Sequence, residues 1–166
     1  MVGGLAALVG ITAFQLRSEN RMMYCLAAAA GLWALHFLLL GAVTAALMNA
    51  ITLVRNLLAV RGNMRSLGYV FITAYLISGG LTWESAWDVL PTIAVCSGSS
   101  AVFLLSGLWR RGGLLLGGLL WLVFNIHAGS IPGIVVMAAE SISNTVFIIR
   151  ALRLRAKGSR PSASDQ

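Results

Sequence analysis

Basic residues in this chain occur almost only at alternate breaks between long apolar stretches. The chain contains 12 Lys and Arg, and eleven of them lie in the first, third and fifth breaks or near the C-terminus. These eleven are Arg17, Arg21, Arg61, Arg65, Arg110, Arg111, Arg150, Arg153, Arg155, Lys157 and Arg160. Cytoplasmic loops of membrane proteins retain Lys and Arg. The alternation therefore predicts seven transmembrane helices, with the N-terminus outside and the C-terminus inside.

The composition agrees with an all-α integral membrane protein. Hydrophobic residues make up 58% of the 166 residues and charged residues 10%, whereas a soluble domain carries about 25% charged residues. The net charge of +7 lies at the ends of predicted helices and forms no basic face with interleaved aromatic residues, as nucleic-acid binding requires. We expect the lipid bilayer to be the main partner and no nucleic acid to bind.

The apolar stretches give the bounds of the predicted helices. The predicted spans are 2–16, 23–40, 42–60, 66–82, 89–108, 112–128 and 131–150. The first is shorter than the ~20 residues that usually cross a bilayer, so we expect its neighbours to bury it. Tight turns are predicted around Gly41 and Gly129. The outer loop after the fourth span carries Trp83 and Trp87, which is typical of an interfacial aromatic belt.

The second half of the chain repeats the first at an offset of 88 residues. The coincident pairs include Trp33 and Trp121, Gly41 and Gly129, and Asn56 and Asn144. Each repeat has three spans, so a fourth span must return the chain before the second copy begins. The sequence predicts a 3+1+3 arrangement, with parallel repeats related by an axis along the membrane normal. The predicted units are residues 1–65, a linker helix and loop over 66–88, residues 89–155, and a disordered cytoplasmic tail over 156–166.

Two repeat-equivalent spans carry polar stripes near the middle of the membrane. The third span has Asn49, Thr52 and Asn56, and the seventh has Glu140, Ser143 and Asn144. These spacings place each set on one helix face. Buried polar groups are costly in a bilayer, and repeat interfaces tend to hold binding sites at the midplane. We predict that both stripes, together with Trp33 and Trp121, form a substrate-binding site.

Arg55 is the one basic residue inside an apolar stretch, and two interpretations of it stay open. Its side chain can extend to the cytoplasmic headgroups. Alternatively, it can form an ion pair with Glu140, since the repeat places the two at an axial offset of ~4.5 Å, with ~1.5 Å per residue. For Glu140, structural hydrogen bonds from Ser and Asn and a role in proton coupling also remain open.

Three further polar residues, His36, Asn125 and His127, lie near the predicted outer ends of the second and sixth spans. We expect the histidines to form hydrogen bonds at the outer rim or to line an outer vestibule, which Asn125 would share. Two His can ligate haem or a metal, but no further Cys, Asp or Glu ligand is predicted nearby, so we expect no metal and no cofactor. The sequence contains no recognisable catalytic set and no phosphate-binding loop. We therefore expect no enzyme activity.

Two segments resemble the YgjV-type bacterial inner-membrane proteins. One is Trp-Ala-Leu-His-Phe-Leu-Leu-Leu-Gly at 33–41, followed by Asn49 and Arg61; the other runs from Trp121 and Asn125 through Ala-Gly-Ser-Ile-Pro-Gly at 128–133 to Asn144 and Arg150. The resemblance covers most of the chain. It implies a multi-pass protein of the bacterial inner (plasma) membrane and implies no particular activity.

The 3+1+3 layout is also similar to that of the sugar-transporting SWEET proteins and the wider PQ-loop group. Those proteins place an Asn from the third and seventh helices, with nearby Trp, around a sugar. Asn56, Asn144, Trp33 and Trp121 stand on the matching helices here. No Pro-Gln dipeptide occurs in the chain, so the similarity is one of architecture alone.

Two functions follow from these features. The first is transport of a small neutral or zwitterionic solute through a site between the third and seventh helices. The alternative is a non-transporting membrane protein that assembles with or regulates another membrane complex. The sequence leaves assembly into a homo-oligomer open.

Overall fold

A computed structural model describes residues 1–13, 15–61 and 65–158, with side chains up to residue 154. Within these residues the regular structure consists of seven α-helices and one 3-10 turn, and there is no strand. The helices are α1 (Val2–Ala13), α2 (Glu19–Leu39), α3 (Val43–Ala59), α4 (Arg65–Leu81), α5 (Val89–Phe103), α6 (Gly107–His127) and α7 (Ile131–Gly158). The 3-10 turn, Ala86–Asp88, precedes α5. Each predicted span corresponds to one helix, which confirms the all-α membrane class.

The helices differ in how well each could cross a membrane alone. In the described part of the chain, three segments are long and apolar enough: Glu19–Leu39, Ala86–Phe103 and Ile131–Leu154. The apolar helices α1 and α3 are shorter. At ~1.5 Å per residue, α1 is about 18 Å long, against a hydrocarbon core of ~30 Å. Many large apolar side chains are exposed, such as Leu38, Ile77 and Val135, as contact with lipid requires.

Two helix bounds differ from the predicted spans in ways that affect the site. Helix α6 begins at Gly107, so Arg110 and Arg111 lie within its first turns rather than in a loop. Ser106 is extended and Gly107 has a φ of 56°, a conformation that glycine adopts readily, which allows the chain to turn within three residues. Helix α7 continues to Gly158, so residues 156–158 of the predicted tail are helical. The remaining tail residues lie outside the described ranges.

Neighbouring helices pack mainly in chain order. Helix α2 packs against α1 and α3, and α6 packs against α5 and α7. Contacts of α3 with α5 and of α1 with α7 join the two halves. Six helices therefore form a ring, and α4 packs against α3 and α5 where they meet.

Helix bounds and turns recur at the offset of 88 residues. Helices α2 and α6 coincide at both ends, and α3 and α7 begin at equivalent residues. The turns before α3 and α7 both contain a glycine with positive φ, 75° at Gly41 and 68° at Gly129. A side chain at either position would be strained. These coincidences support the internal repeat, which stays a prediction, as does the orientation in the membrane.

Glycines allow α5 and α6 to approach closely. The Ser97 hydroxyl donates to the carbonyl oxygen of Gly113 at 2.8 Å. A Cβ atom on Gly117 would lie 3.0 Å from the carbonyl oxygen of Ala94. Small residues serve the same purpose at many transmembrane helix interfaces. Because a backbone atom cannot move aside as readily as a side chain can, a larger residue at 117 would push α5 and α6 apart.

We predict that Gly117→Val destabilises the protein while Gly112→Val does not. Valine at 117 would force α5 and α6 apart, and overpacking of this kind costs ~1–3 kcal/mol. A Cβ on Gly112 meets no atom within 4 Å, which makes this position a matched control on the same helix. The measurement is the thermal unfolding midpoint of the purified protein in detergent. Equal midpoints for both variants would contradict the close helix contact.

Candidate binding site in the helix ring

Two adjoining cavities lie within the helix ring. The larger has a volume of about 200 Å³ and the smaller about 90 Å³. The larger is lined by Asn49, Thr52, Arg55, Ala94, Val95, Gly98, Leu114, Gly117, Gly118, Trp121, Met137 and Glu140. The smaller is lined by Trp33, Phe37, Asn49, Trp121, Asn125, Gly133 and Met137. The two cavities meet at three residues that border both of them, namely Asn49, Trp121 and Met137.

Five of the predicted substrate-binding residues line these cavities. They are Asn49, Thr52, Glu140, Trp33 and Trp121. The other three lie elsewhere: Asn56 and Asn144 are buried, and Ser143 is exposed. The walls also include α5 and α6, beyond the α3 and α7 faces that the sequence indicated.

Asn56 and Asn144 lie outside the cavity lining, and each accepts hydrogen bonds from an arginine. The Arg55 guanidinium donates to Asn56 Oδ1 through Nε at 3.2 Å and Nη2 at 3.0 Å. Arg111 Nη1 donates to Asn144 Oδ1 at 3.2 Å, and its guanidinium lies 4.3 Å from the centre of the Phe147 ring. These bonds satisfy amide oxygens that would otherwise be costly to bury.

Asn49 and Thr52 are fixed to the α3 wall of the larger cavity. Asn49 Nδ2 donates to the carbonyl oxygen of Ala45 at 2.9 Å. The Thr52 hydroxyl donates to the carbonyl oxygen of Met48 at 2.8 Å and lies 2.9 Å from the Tyr75 hydroxyl. Since Tyr75 belongs to α4, this contact connects the linker helix to the cavity wall.

Arg55 and Glu140 line the same cavity but do not form an ion pair with each other in this structure. Besides its contacts with Asn56, Arg55 donates from Nη1 to Ser99 Oγ on α5 at 2.9 Å. Glu140 is exposed and has no hydrogen-bond partner among the described residues. The arginine thus bridges α3 and α5, while the carboxylate on α7 is left to the cavity.

Stacked aromatic rings from α2 and α6 line the smaller cavity. Phe37 is 2% exposed and stacks on Trp33 and Trp121, with centroid distances of 5.8 and 5.5 Å. It also meets the edge of Phe124 at 5.8 Å. Aromatic pairs of this geometry stabilise by ~0.5–1.5 kcal/mol beyond area burial. The stack joins α2 to α6 across the ring.

Phe37 and Met137 line the cavities but were not singled out from the sequence. At the offset of 88 residues, Phe37 corresponds to Asn125 and Met137 to Asn49, and all four line a cavity. Applying the offset of 88 residues to Asn125 and Asn49 would therefore have identified Phe37 and Met137 from the sequence. Gly98 and Gly118 could not be identified as lining residues from the sequence, because there a glycine that lines a cavity looks the same as a glycine at a helix contact.

The predicted vestibule residues separate in the structure. Asn125 lines the smaller cavity. His36 Nε2 lies 2.8 Å from Ser130 Oγ at the start of α7, and His127 stacks on Trp87 with a centroid distance of 4.1 Å. Neither histidine lines either of the two cavities. Across the residues with described side chains, no three His, Cys, Asp or Glu come together as a metal site would need.

Asn125 packs closely against Gly133. Its Nδ2 donates to the carbonyl oxygen of Trp121 at 2.7 Å, while its buried Oδ1 has no hydrogen-bond partner within the described part of the chain. A Cβ atom on Gly133 would collide with Asn125 Oδ1 and come within 2.8 Å of Ser130 Oγ. The start of α7 therefore lies against α6 only because residue 133 is glycine.

We predict a coupled effect of Gly133→Ala and Asn125→Ala. Gly133→Ala should lower the thermal unfolding midpoint, because its methyl group displaces the Asn125 amide. In the Asn125→Ala background the same change should cost less, since the colliding oxygen is absent. Contacting residues typically couple by ~0.5–3 kcal/mol. Additive effects in the double variant would contradict this contact.

Comparisons with known proteins place the chain in a family. The model of the family Imp-YgjV, described as bacterial inner membrane protein, matches residues 1–155. The inner membrane protein YgjV of Escherichia coli (strain K12) is 30% identical over 163 residues, which cover 96% of this chain and 87% of that relative. No solved structure matches the chain. With its ring of apolar helices, the chain belongs to the YgjV family of bacterial inner membrane proteins.

Proposed function

We propose that this protein transports a small neutral or zwitterionic solute, and that the larger cavity is its binding site. The observation that carries the proposal is that polar and charged side chains from both α3 and α7 line one cavity inside an apolar bundle. Polar groups at membrane depth are costly and commonly mark a solute or ion pathway. The volume of about 200 Å³ is below the ~300–1,000 Å³ of pockets for drug-sized ligands, so it suits a small solute.

The repeat supports a transport role. At the offset of 88 residues, Asn49 corresponds to Met137 and Thr52 to Glu140, and all four line the larger cavity. Contact of α3 with α5 corresponds in the same way to contact of α1 with α7. Transporters built from repeats commonly bind solute between the repeats and move one repeat against the other.

The two cavities suggest where such a movement would open and close the pathway. They meet at Asn49, Trp121 and Met137, so a shift of Trp121 would connect or separate them. The Phe37 stack on Trp121 would close the pathway on the side of the smaller cavity. We propose that opening on that side requires this stack to separate.

A filled cavity should block transport without unfolding the protein. A Cβ on Gly98 meets no atom within 4 Å, so Gly98→Leu is expected to project into the larger cavity and leave the helix contacts intact. Gly80→Leu is the matched control, because Gly80 is also open but lies on α4 outside the cavity. We expect Gly98→Leu to reduce solute entry into proteoliposomes at least tenfold and Gly80→Leu to leave it unchanged.

The measurement is stopped-flow light scattering of proteoliposomes exposed to glycerol, ribitol, glycine or 4-aminobutanoate, with both variants checked for an unchanged unfolding midpoint. Entry no faster than into protein-free liposomes for all four solutes would contradict the proposal. That result would favour a membrane protein that assembles with or regulates another complex.

A further inference from the structure

Two oppositely charged side chains line the larger cavity without neutralising each other. Glu140 has no hydrogen-bond or ion-pair partner among the described residues. Arg55 makes three hydrogen bonds, two to Asn56 and one to Ser99. A guanidinium has five N–H donors, so two remain for another partner.

The repeat predicts that the two charges lie at similar depths on different walls. Arg55 is on α3 and Glu140 on α7, and both line the cavity. At the offset of 88 residues, position 55 corresponds to Ser143, three residues from Glu140. With ~1.5 Å per residue, the axial offset is ~4.5 Å. A small molecule in the cavity therefore has a cationic group on one side and a carboxylate on another.

The charge of a suitable solute follows from these two groups. An anion would bind Arg55 but meet repulsion from Glu140, and a cation would have the opposite difficulty. A neutral solute would leave both charges without a counter-charge in a medium where that is costly. We propose, building on the transport function above, that the cavity binds a small zwitterion, with its carboxylate on Arg55 and its ammonium group on Glu140.

The remaining lining limits the size of this zwitterion. Gly98 leaves open space in the lining, since a Cβ atom there would meet no atom within 4 Å, and Trp121 and Met137 border the cavity. With about 200 Å³, the cavity suits an amino acid with a short carbon chain. Asn49 and Thr52 add an amide and a hydroxyl that can bond the same carboxylate or ammonium group.

A panel of zwitterions and of four-carbon counterparts with one charge or none tests the inference on the full-length protein. The zwitterions are glycine, β-alanine, 4-aminobutanoate and 6-aminohexanoate, which carry the same two charges at increasing separation. Butanoate, butylamine and butane-1,4-diol are the single-charge and uncharged counterparts. Dissociation constants come from ligand-induced shifts of the unfolding midpoint in detergent, and entry rates from proteoliposomes.

We expect one zwitterion to bind at least about tenfold more tightly than each counterpart, since hydrogen bonds to charged groups are among the stronger ones. Glu140→Gln should remove this preference, so that the zwitterion and butanoate bind alike. Because Glu140 has no partner among the residues whose side chains are described, this substitution should leave the unfolding midpoint without ligand unchanged. Ser143→Ala, on the same helix but outside the cavity, should keep the wild-type preference.

Arg55→Gln provides the complementary measurement, in which the zwitterion and butylamine should bind alike. This arginine also bonds Asn56 and Ser99, so the Glu140→Gln result decides if Arg55→Gln does not fold. Unchanged selectivity in Glu140→Gln would overturn the inference. The inference would also be overturned if Glu140→Gln kept solute binding and downhill exchange but lost uphill accumulation, because Glu140 would then couple protons.

The panel also distinguishes the two proposals from each other. Saturable entry of butane-1,4-diol, equal to that of every zwitterion and unaffected by Glu140→Gln, would overturn the zwitterion inference and retain the transporter. Failure of the protein to bind or admit any of the seven probes would overturn both.

Discussion

The hydrocarbon core of a bilayer provides no hydrogen-bond partners, so the polar side chains of the helix ring depend on one another and on the backbone for theirs. Asn56 and Asn144 are buried, and each accepts from an arginine. Thr52 bonds its own helix and Tyr75. Glu140 has no such partner among the described residues and lines the cavity. Polar groups therefore divide into those that hold helices together and those left for a solute or water.

The two halves differ in their small residues where α6 lines the larger cavity. Gly117 and Gly118 on α6 line the larger cavity, whereas the equivalent positions on α2 are Ala29 and Ala30, both buried. Each alanine adds a methyl group where α6 has none. The larger cavity extends between α3, α5, α6 and α7, and no residue of α1 or α2 lines it.

The sequence predicts the elements of this fold better than the contacts of its site. Alternating charges identify all seven helices because topology depends on few residues, and the offset of 88 residues pairs their bounds. Helical spacing places Ser143 on the face of Glu140, yet Ser143 lines neither cavity, because only part of a wide polar stripe can face the ring. The role of Arg111 could not be predicted, since Gly107 starts α6 before the predicted bound and brings this arginine into the helix beside Asn144.

Charge is where the two halves differ most. Thr52 corresponds to Glu140 and Ser143 to Arg55, so each of α3 and α7 contributes one charged side chain at a position where its counterpart is uncharged. Two charges of one sign would repel each other across the cavity and hold a permanent counter-ion. Opposite signs keep the site neutral. The free-energy cost of holding two charges in a medium of low dielectric constant is then smaller than for two charges of one sign. In the proposed transport cycle, a site with separated but balanced charges could release a zwitterion without leaving a net charge in the membrane.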